Sequence, residues 1–347
     1  MSFQSLAIAA TGMVTSIGLD TPSTCAAIRC GINNFQETRF RDSGGQWIQG
    51  AEVPLEEAWR GPAKLARMLA RALQECGRED ETLDLRKVPI VLCLAEKDRP
   101  GRIDGLGKEI LSLTQQELGM HFHPESRLVE LGRVGALVAL KQARTLIYDQ
   151  RKAGAVNRVI IAGVDSMLDA QTLRVFEEQE RLLTSKNSNG FIPGEAASAI
   201  VVERSTTKEQ QVLCLGLGYG VEAATILSEE PLRADGLTAA IRESLTDASV
   251  GMADVDFRIA DLSGEHYWFK EAALALGRLL RTHKQGFDLW HPADCVGEVG
   301  AAIGGVIMAS TKHAFAKRYA PGNTVLYQSS NDDGQRATAI LVSKTMR

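Results

Sequence analysis

The residues from 190 to 203 read GFIPGEAASAIVVE and change character half-way. The first six letters hold two glycines and a proline, a composition typical of a turn. The remaining eight are mostly small or β-branched apolar residues, which indicates a strand buried on both faces. Because such a strand needs a cover on each side, the segment predicts a sheet enclosed by helices.

Similar apolar runs recur along the chain and alternate with helical patterns. Predicted strands cover 5–14, 88–95, 158–167, 197–203, 211–220, 257–264, 324–330 and 337–343. Ala, Leu and Arg recur at helical spacing in 63–77 and 267–282, which predicts helices there. Since no low-complexity linker interrupts this alternation, we predict α/β architecture with largely buried strands.

Length, net charge and hydrophobic content give no indication of a nucleic-acid-binding or membrane-spanning protein. The chain has 347 residues, 44% of them hydrophobic, which is long enough for two fused units. Its net charge of −4 gives no electrostatic reason to expect nucleic acid or an anionic membrane surface as a partner. The N-terminus lacks the basic region of a signal peptide, and no apolar run approaches the roughly 20 residues of a membrane helix. We therefore expect a soluble, cytoplasmic protein.

The six cysteines include no CxxC pair and lie in mostly apolar surroundings. This spacing predicts reduced, buried thiols, Cys295 among them, and implies no disulfide framework. The sequence implies no metal site and no cofactor.

A five-residue motif occurs twice. GRVGA at 132–136 recurs as GEVGA at 297–301, and each copy opens a helix rich in small and apolar residues. The order of helix, strand, short loop and strand also repeats on either side of the middle of the chain. We predict two copies of one α/β unit, residues 1–205 and 206–347, packed face to face around these two helices, whose small residues permit close approach.

The chain resembles the thiolase-fold condensing enzymes, specifically the β-ketoacyl synthases. The opening AIAATGMVTSIGLDTPSTCAAIRCGINNF, at 7–35, is similar to their first strand and the loop and helix after it. The 190–203 segment resembles their FxxGEGAA-type loop and strand, and IIAGVDS precedes it at 160–166. The resemblance covers essentially the whole chain and implies a five-layered αβαβα fold made of two pseudo-symmetric halves.

In that family, a cysteine at the start of the first central helix attacks an acyl thioester, and two histidines from the second half assist decarboxylation and condensation. Aligning the family motifs puts Arg133 at the cysteine, Ser263 at the first histidine and Glu298 at the second. No shift of register supplies the nucleophile, because no cysteine lies between Cys93 and Cys214. The resemblance therefore implies that the Cys-His-His triad is absent.

The glycine-rich Phe-Gly-Gly-Thr-Asn segment of the family is also altered, to NDDGQR at 331–336. Since both central helix termini converge on the active site in the family, we predict a bidentate ion pair between Arg133 and Glu298, at repeat-equivalent positions. The resemblance implies a vestigial pocket whose further members are His266, Asp332, Asp333, Gln335 and Arg336.

Other interpretations of these residues stay open. Arg133 could reach solvent from a loop, or bind the anionic group of a phosphopantetheine or carboxylate ligand. Ser263, Glu265 and His266 could form a hydrolytic arrangement, or only a polar turn with a solvated histidine.

The resemblance favours a β-ketoacyl synthase-like protein that has lost condensing activity and acts by binding. It would serve as a silent partner subunit, like the chain-length factors, or as an adaptor or chaperone, for example for a bacterial secretion effector. Expected partners are a second copy or another thiolase-fold subunit, an acyl carrier protein, or a protein cargo. The alternative is an acyltransferase or thioester hydrolase with a rewired site that uses Glu298, Ser263 or His266.

Overall fold

A computed structural model of the chain describes residues 4–57, 60–149, 156–206 and 211–344. Within these ranges the strands are β1 (Leu6–Val14), β2 (Gln36–Arg41), β3 (Trp47–Gly50), β4 (Ile90–Leu94), β5 (Arg127–Glu130), β6 (Arg158–Ser166), β7 (Glu195–Arg204), β8 (Gln211–Val221), β9 (Phe257–Ala260), β10 (Leu289–Trp290), β11 (Thr324–Ser330) and β12 (Gln335–Lys344). The α-helices in the same ranges are α1 (Thr21–Arg29), α2 (Gly61–Glu79), α3 (Leu106–Leu118), α4 (Gly135–Tyr148), α5 (Ala170–Glu178), α6 (Asp235–Ala248), α7 (His266–Leu279), α8 (Ala293–Val296) and α9 (Ile303–Ala316).

Strand order repeats within the described chain. Ten strands hydrogen-bond in the order β10-β9-β11-β12-β8-β1-β7-β6-β4-β5, while β2 and β3 form a separate hairpin. Numbered along the chain, the first five sheet strands and the last five both have the spatial order 3-2-4-5-1. The two sets join where β1 pairs with β8 over Leu6–Ile8. The predicted boundary after residue 205 falls between β7 and β8. Residues 1–3, 58–59, 150–155, 207–210 and 345–347 of the two predicted halves lie outside the described residues.

Five layers follow from the packing of the helices. Helices α2 and α3 cover the first strand set, and α6 and α7 cover the second. Between the sets, α4 contacts β4, β6 and β12, while α9 contacts α4 and the first set. Close approach here depends on glycine, because a Cβ on Gly304 would lie 2.3 Å from the Cβ of Ala136. In the described ranges, no helix combines the length and apolar character needed to cross a bilayer.

The turn and strand at 190–203 occupy the centre of the first strand set. Strand β7 is buried from Glu195 to Val202 and pairs antiparallel with β1 and β6. Gly194 precedes it where a Cβ would lie 2.4 Å from the Val296 carbonyl oxygen, so this turn needs glycine. The predicted turn and buried strand are therefore present.

Several short elements differ from the sequence-based expectations. The hairpin β2–β3 and the edge strands β5 and β10 were not predicted, and β9 ends at Ala260 although the apolar pattern extended to 264. Strand β9 ends early because the Asp261 carboxylate accepts hydrogen bonds from Ser329 Oγ and Ser330 N, both at 2.9 Å. Beyond Ala260, the Asp261 side chain instead of the backbone of β9 accepts hydrogen bonds from the end of β11.

The predicted equivalence of Arg133 and Glu298 in the two repeats is wrong. Gly132 and Gly300 both have positive φ, 50° and 51°, and each opens a three-residue 3₁₀ turn that leads into a 14-residue helix, α4 or α9. The backbone therefore matches Arg133 with Ala301 and leaves Glu298 in the preceding loop. The motif match paired Gly132 with Gly297, three residues before its structural equivalent Gly300.

Candidate functional site

Arg133 lies in the 3₁₀ turn that leads into α4, where its side chain is 8% exposed and reaches three carboxylates. Its guanidinium lies 2.7 Å from Asp332, 3.4 Å from Glu298 and 3.9 Å from Asp261. The guanidinium carbon also lies 4.4 Å from the ring centre of Trp268, a cation–π contact. The interpretation of Arg133 as a loop residue that reaches solvent is therefore wrong.

The contact between Arg133 and Glu298 is single rather than bidentate. Nη1 of Arg133 donates to Oε2 of Glu298 at 3.4 Å, while the other Glu298 oxygen accepts the Gly300 amide at 2.9 Å. The loop before β7 fixes this glutamate, because Glu298 N donates to Ile192 O at 2.8 Å and Gly194 N donates to Glu298 O at 2.9 Å. The segment at 190–194 thus positions the carboxylate that approaches Arg133.

A bidentate pair does exist nearby, between residues that the sequence analysis did not combine. Arg181 donates to both oxygens of Glu265, at 2.7 and 2.9 Å. Asp332 bridges the two arginines, since one oxygen lies 2.7 Å from Arg133 Nη2 and the other 2.6 Å from Arg181 Nη1. These four residues form a continuous ion network in which Asp332 is the shared acid.

Trp268 connects this network to a second buried arginine. Its indole N–H donates to Glu265 at 3.0 Å, and the guanidinium of Arg336 lies 5.4 Å from its ring centre. Arg336 is 0% exposed and donates to Glu271 at 2.8 Å and to the Tyr267 hydroxyl at 3.0 Å. Arg336 therefore borders the network across the indole instead of facing Arg133.

Besides Arg336, three of the residues predicted for the vestigial pocket lie outside the network: Asp333, Gln335 and His266. Asp333 is exposed and accepts the Gln335 side-chain amide at 2.8 Å, because the tight turn ending at Gly334 directs it away from Asp332. His266 is exposed at the start of α7, and its backbone amide donates to Asn189 at 2.7 Å. Their assignment to the pocket is wrong.

The hydrolytic arrangement is also not assembled. Both Glu265 oxygens are engaged by Arg181, so this carboxylate does not orient His266. The Ser263 hydroxyl has no hydrogen-bond partner among the described residues, although it lies close enough to Glu298 to lower that carboxyl's pKa. A serine hydroxyl that makes no hydrogen bond to a base is not an activated nucleophile.

The three carboxyl groups that face Arg133 differ in the direction of their pKa shifts. Burial raises the pKa of the Glu298 carboxyl, and Arg133 only partly opposes the rise. Burial likewise raises the pKa of Asp261. For Asp332, burial would also raise the pKa, but Arg133 and Arg181 outweigh it and hold the pKa below its ordinary value. Asp332 is therefore the firmly ionised counter-charge of both guanidiniums.

Little free space remains at this site. The cavity beside the network holds about 30 Å³, room for one or two waters. Its lining residues are Glu96, Arg99, Arg133, Met167, Phe176, Arg181, Phe191, Glu298, Gly300 and Asp332. Side chains fill the space around the Arg133 guanidinium, and the remaining cavity is too small for an acyl chain.

Sequence reasoning missed several members of this site. Asp261 directly follows β9, which runs parallel to β11 and β10. Because side chains at the carboxyl ends of parallel strands converge on one edge, this position carried a usable signal. Arg181 carried none, since it lies in a loop without a recognisable motif.

Comparison with known proteins gives related folds. No protein-family model matches the chain. A curated Streptomyces coelicolor protein named as beta-ketoacyl synthase 2 of the actinorhodin polyketide is 31% identical over 169 residues, which are 45% of this chain and 40% of that protein. The match thus spans about two fifths of the curated relative.

Solved structures match nearly the full length. The ishigamide ketosynthase/chain length factor superposes with a TM-score of 0.78 at 17% identity and covers 99% of this chain and 100% of its own. A type II PKS acyl-carrier protein complex with its ketosynthase bound to the hexaketide gives a TM-score of 0.77 at 14% identity, covering 99% and 100%. A Xenorhabdus doucetiae ketosynthase in complex with its chain length factor gives 0.73 at 13%, covering 98% of each chain.

The chain has the thiolase-like α/β fold of these ketosynthases. This result confirms the fold that the 7–35 and 190–203 segments predicted.

Thiol labelling checks the burial of the cysteines. Cys30 is exposed and the other five cysteines are buried. Burial raises the pKa of Cys25 and Cys93 to about 12 and that of Cys214 and Cys295 to about 11, and it also raises the pKa of Cys76.

Because the thiolate is the reactive form, native iodoacetamide treatment followed by peptide mapping is expected to modify Cys30 alone. A Cys30→Ser variant, as control, should take up no label until it is denatured. Rapid native labelling of Cys93 or Cys295 would contradict the buried placement.

Glu96 is expected to make stability depend on pH. Burial raises the pKa of this carboxyl from 4.5 to about 7, against the attraction of Arg99 and Arg133. A pKa raised by folding gives stability that is complete below the unfolded value and is lost as pH rises through the folded value. Between pH 5.5 and 8 the Glu96→Gln variant should therefore gain on the wild type by about 2 kcal/mol in the free energy of unfolding.

Urea unfolding at the two pH values measures this gain. Asp98→Asn, an exposed acid in the same loop, is the matched control and should follow the wild type. Parallel pH profiles for wild type and Glu96→Gln would show that Glu96 titrates normally.

Proposed function

We propose that this chain is a non-condensing subunit that pairs with a catalytic thiolase-fold ketosynthase. The observation that supports this is Arg133, which stands where the resemblance aligns the nucleophilic cysteine and is held by Asp332 and Glu298. A guanidinium stays protonated at accessible pH and is not a nucleophile. The covalent acyl step of condensation then has no group on this chain to carry it.

The neighbouring acids offer no substitute. Glu298 and Asp261 both face the guanidinium of Arg133, and the Ser263 hydroxyl forms no hydrogen bond to either within the described residues. A carboxylate neutralised by an arginine is a weak general base, and nucleophilic catalysis needs nucleophile and base in hydrogen-bond reach. The charged residues of this site therefore stabilise the fold and do not catalyse a reaction, so binding is the function favoured for the protein.

Two observations support a thiolase-fold partner. Solved structures with this fold include a ketosynthase in complex with its chain length factor. Strand β5 also ends the sheet and, among the described strands, pairs only with β4. An open sheet edge accepts a strand from another chain, so a homodimer or a heterodimer through β5 is the proposed assembly.

An acyl carrier protein is the second proposed partner. A structure with this fold holds an acyl-carrier protein in complex with its ketosynthase. We infer that this chain would contact the carrier without taking the acyl group, since the 30 Å³ cavity holds neither a pantetheine arm nor an acyl chain.

Intact-mass measurement and gas analysis test the proposal together. The chain is incubated with malonyl- and acetyl-loaded carrier protein, alone and with a ketosynthase co-expressed from the same source. Alone, it should show no mass increase and release no carbon dioxide; with the ketosynthase it should co-elute as a complex in size-exclusion chromatography. An acyl adduct or carbon dioxide from the chain alone would refute the loss of condensation, and failure to co-elute with the ketosynthase would refute the pairing.

A further inference from the structure

Arg258, on the second half of the chain, is buried without a counter-charge among the described residues. It is 8% exposed, similar to Arg133 and Arg181. Those two arginines and the buried Arg336 each have a carboxylate within 2.8 Å. Arg258 forms neither an ion pair nor a side-chain hydrogen bond within the described ranges. Because a buried charge is costly unless it is paired, this guanidinium indicates a binding partner.

Arg258 extends from β9 onto the face of the sheet that α7 covers. Side chains alternate between the two faces along a strand. The neighbours Phe257 and Ile259 belong to the central core between the two strand sets, so Arg258 points to the other face. Its pairing with Leu289 puts it beside β10, the last strand of the sheet. Arg258 therefore lies next to the outer edge of the second strand set.

The half-buried ring of Phe287 supports the guanidinium. Its centre lies 5.0 Å from the guanidinium carbon of Arg258 and 4.9 Å from Nζ of Lys284. Nε of Arg258 is enclosed and has no acceptor in the described chain, whereas the two Nη atoms are not enclosed and form no hydrogen bond there either. A guanidinium supported by a ring and open at both Nη atoms presents its planar fork to an anion.

The acidic residues nearest along the chain are engaged elsewhere. Asp256 accepts two backbone amides, at 2.7 and 2.9 Å, and Asp254 accepts another at 2.7 Å. Asp288 alternates with Leu289 and therefore shares the face of Trp290, which packs against the central core. Its side chain is thus on the opposite face of the sheet from Arg258.

The pKa of Arg258 agrees with this geometry. Burial lowers it, and no carboxylate of the described residues raises it. Burial also lowers the pKa of Arg133 and Arg181, but the facing carboxylates outweigh it and raise the pKa. Gln328, on the same face of the adjacent strand β11, likewise keeps its Oε1 without a hydrogen bond. Within the described ranges, neither a charged nor a neutral acceptor therefore binds the guanidinium.

We propose that Arg258 and Phe287 form a binding site for a carboxylate group. Its two oxygens accept hydrogen bonds from the two Nη atoms of Arg258, the bidentate geometry in which arginine binds carboxylates. Its carbon body lies against the ring of Phe287. Because Lys284 is bound to the Val255 carbonyl, the free cation of this site among the described residues is Arg258 alone, which matches the single charge of a carboxylate.

This carboxylate belongs either to a small molecule or to an acidic side chain of another protein. The site is separate from the Arg133 network, because Asp261, which faces Arg133, follows the other end of β9 and lies on its opposite face. The proposal therefore stands whether or not the chain pairs with a ketosynthase.

The melting temperature of Arg258→Met gives the first test. Methionine removes the unpaired charge and keeps an apolar stem, so in a carboxylate-free buffer this variant should melt at a higher temperature than the wild type. Arg336→Met leaves its partner Glu271 buried and should melt at a lower one. Arg281→Met makes the same charge change at an exposed position of the loop before β10 and should melt with the wild type. A fall in Arg258→Met like that in Arg336→Met would reveal an internal partner and overturn the proposal.

The second test measures binding through the rise in melting temperature that a ligand of the folded state produces. At constant ionic strength, propionate is compared with neutral propionamide, and acetyl-alanyl-glutamyl-alanine amide with its glutaminyl counterpart. Either carboxylate should stabilise the wild type and Arg281→Met more than its neutral counterpart does. Arg258→Met should lose this excess, with an affinity at least tenfold weaker, the scale of one charge-assisted hydrogen bond.

The two carboxylates distinguish the source of the ligand. A larger rise with the peptide than with propionate at equal concentration supports an acidic side chain, and the reverse supports a small molecule. Arg258→Lys keeps the charge but loses the planar fork, so it should bind the preferred carboxylate more weakly than the wild type. Equal rises with the carboxylates and their neutral counterparts, or the same rise in Arg258→Met as in the wild type, would overturn the proposal.

Discussion

Replacement of Arg133 by methionine is expected to lower the free energy of unfolding by about 3–5 kcal/mol at pH 8. Methionine keeps much of the volume, so the loss is electrostatic. Glu298 and Asp261, 6% and 4% exposed, would remain buried without the guanidinium that faces them. Removal of one partner of a buried ion pair costs more than the pair itself contributes, because the remaining charge stays desolvated.

The same variant should regain part of its stability in acid. Burial raises the pKa of Glu298 and Asp261 in the wild type, and Arg133 opposes that rise. Without Arg133 the folded-state pKa values rise further, which extends to higher pH the range in which protonation favours the folded state. The deficit of Arg133→Met should therefore be smaller at pH 5 than at pH 8.

Urea unfolding at both pH values measures the deficit, and Glu298→Gln in the Arg133→Met background is the rescue variant. The amide removes one buried charge, so the double variant should be more stable than Arg133→Met at pH 8. A deficit below about 1 kcal/mol, the range of exposed ion pairs, would mean that the network is solvated and that Arg133 does not fill the site.

The strands and turns around the site could be predicted from the sequence better than the side-chain contacts within it. Strand periodicity identified the central strands, and the turn at 190–194 that fixes Glu298 was readable from two glycines and a proline. These features are local, because each depends on a few neighbouring residues. The thiolase-like order of the strands came from the resemblance, since periodicity does not specify which strands are adjacent.

The partners of Arg133 could not be predicted for a physical reason. Asp332 and Asp333 are adjacent and chemically identical, and only the direction of the turn before Gly334 decides that Asp332 bridges two arginines while Asp333 faces solvent. Arg181 reaches the same place from the loop after α5. Such contacts join residues 150 or more apart in the chain, and no local pattern encodes them.

Arg336 is expected to be at least as important for stability as Arg133. It is 0% exposed, its partner Glu271 is 1% exposed, and Nε to Oε1 is 2.8 Å. Nη1 of Arg336 also donates to the Asn331 carbonyl at 2.7 Å, which fixes the loop that carries Asp332. Arg336→Met should cost about 3–5 kcal/mol in the free energy of unfolding, because Glu271 and this carbonyl lose their donor together.

A double-variant comparison separates the charge from the packing. Arg336→Met with Glu271→Leu removes both charges of the pair, so it should be more stable than Arg336→Met alone, with a coupling that equilibrium unfolding measures. Arg174 forms an ion pair of similar length with Glu178, 2.9 Å, but both are exposed, and Arg174→Met should leave stability nearly unchanged.

Equal effects of Arg336→Met and Arg174→Met would show that burial does not set the energy of these pairs. A larger effect of Arg336→Met that Glu271→Leu partly reverses would identify the buried charge as the cause. The loop that brings Asp332 to Arg133 would then depend on an arginine on the other side of Trp268.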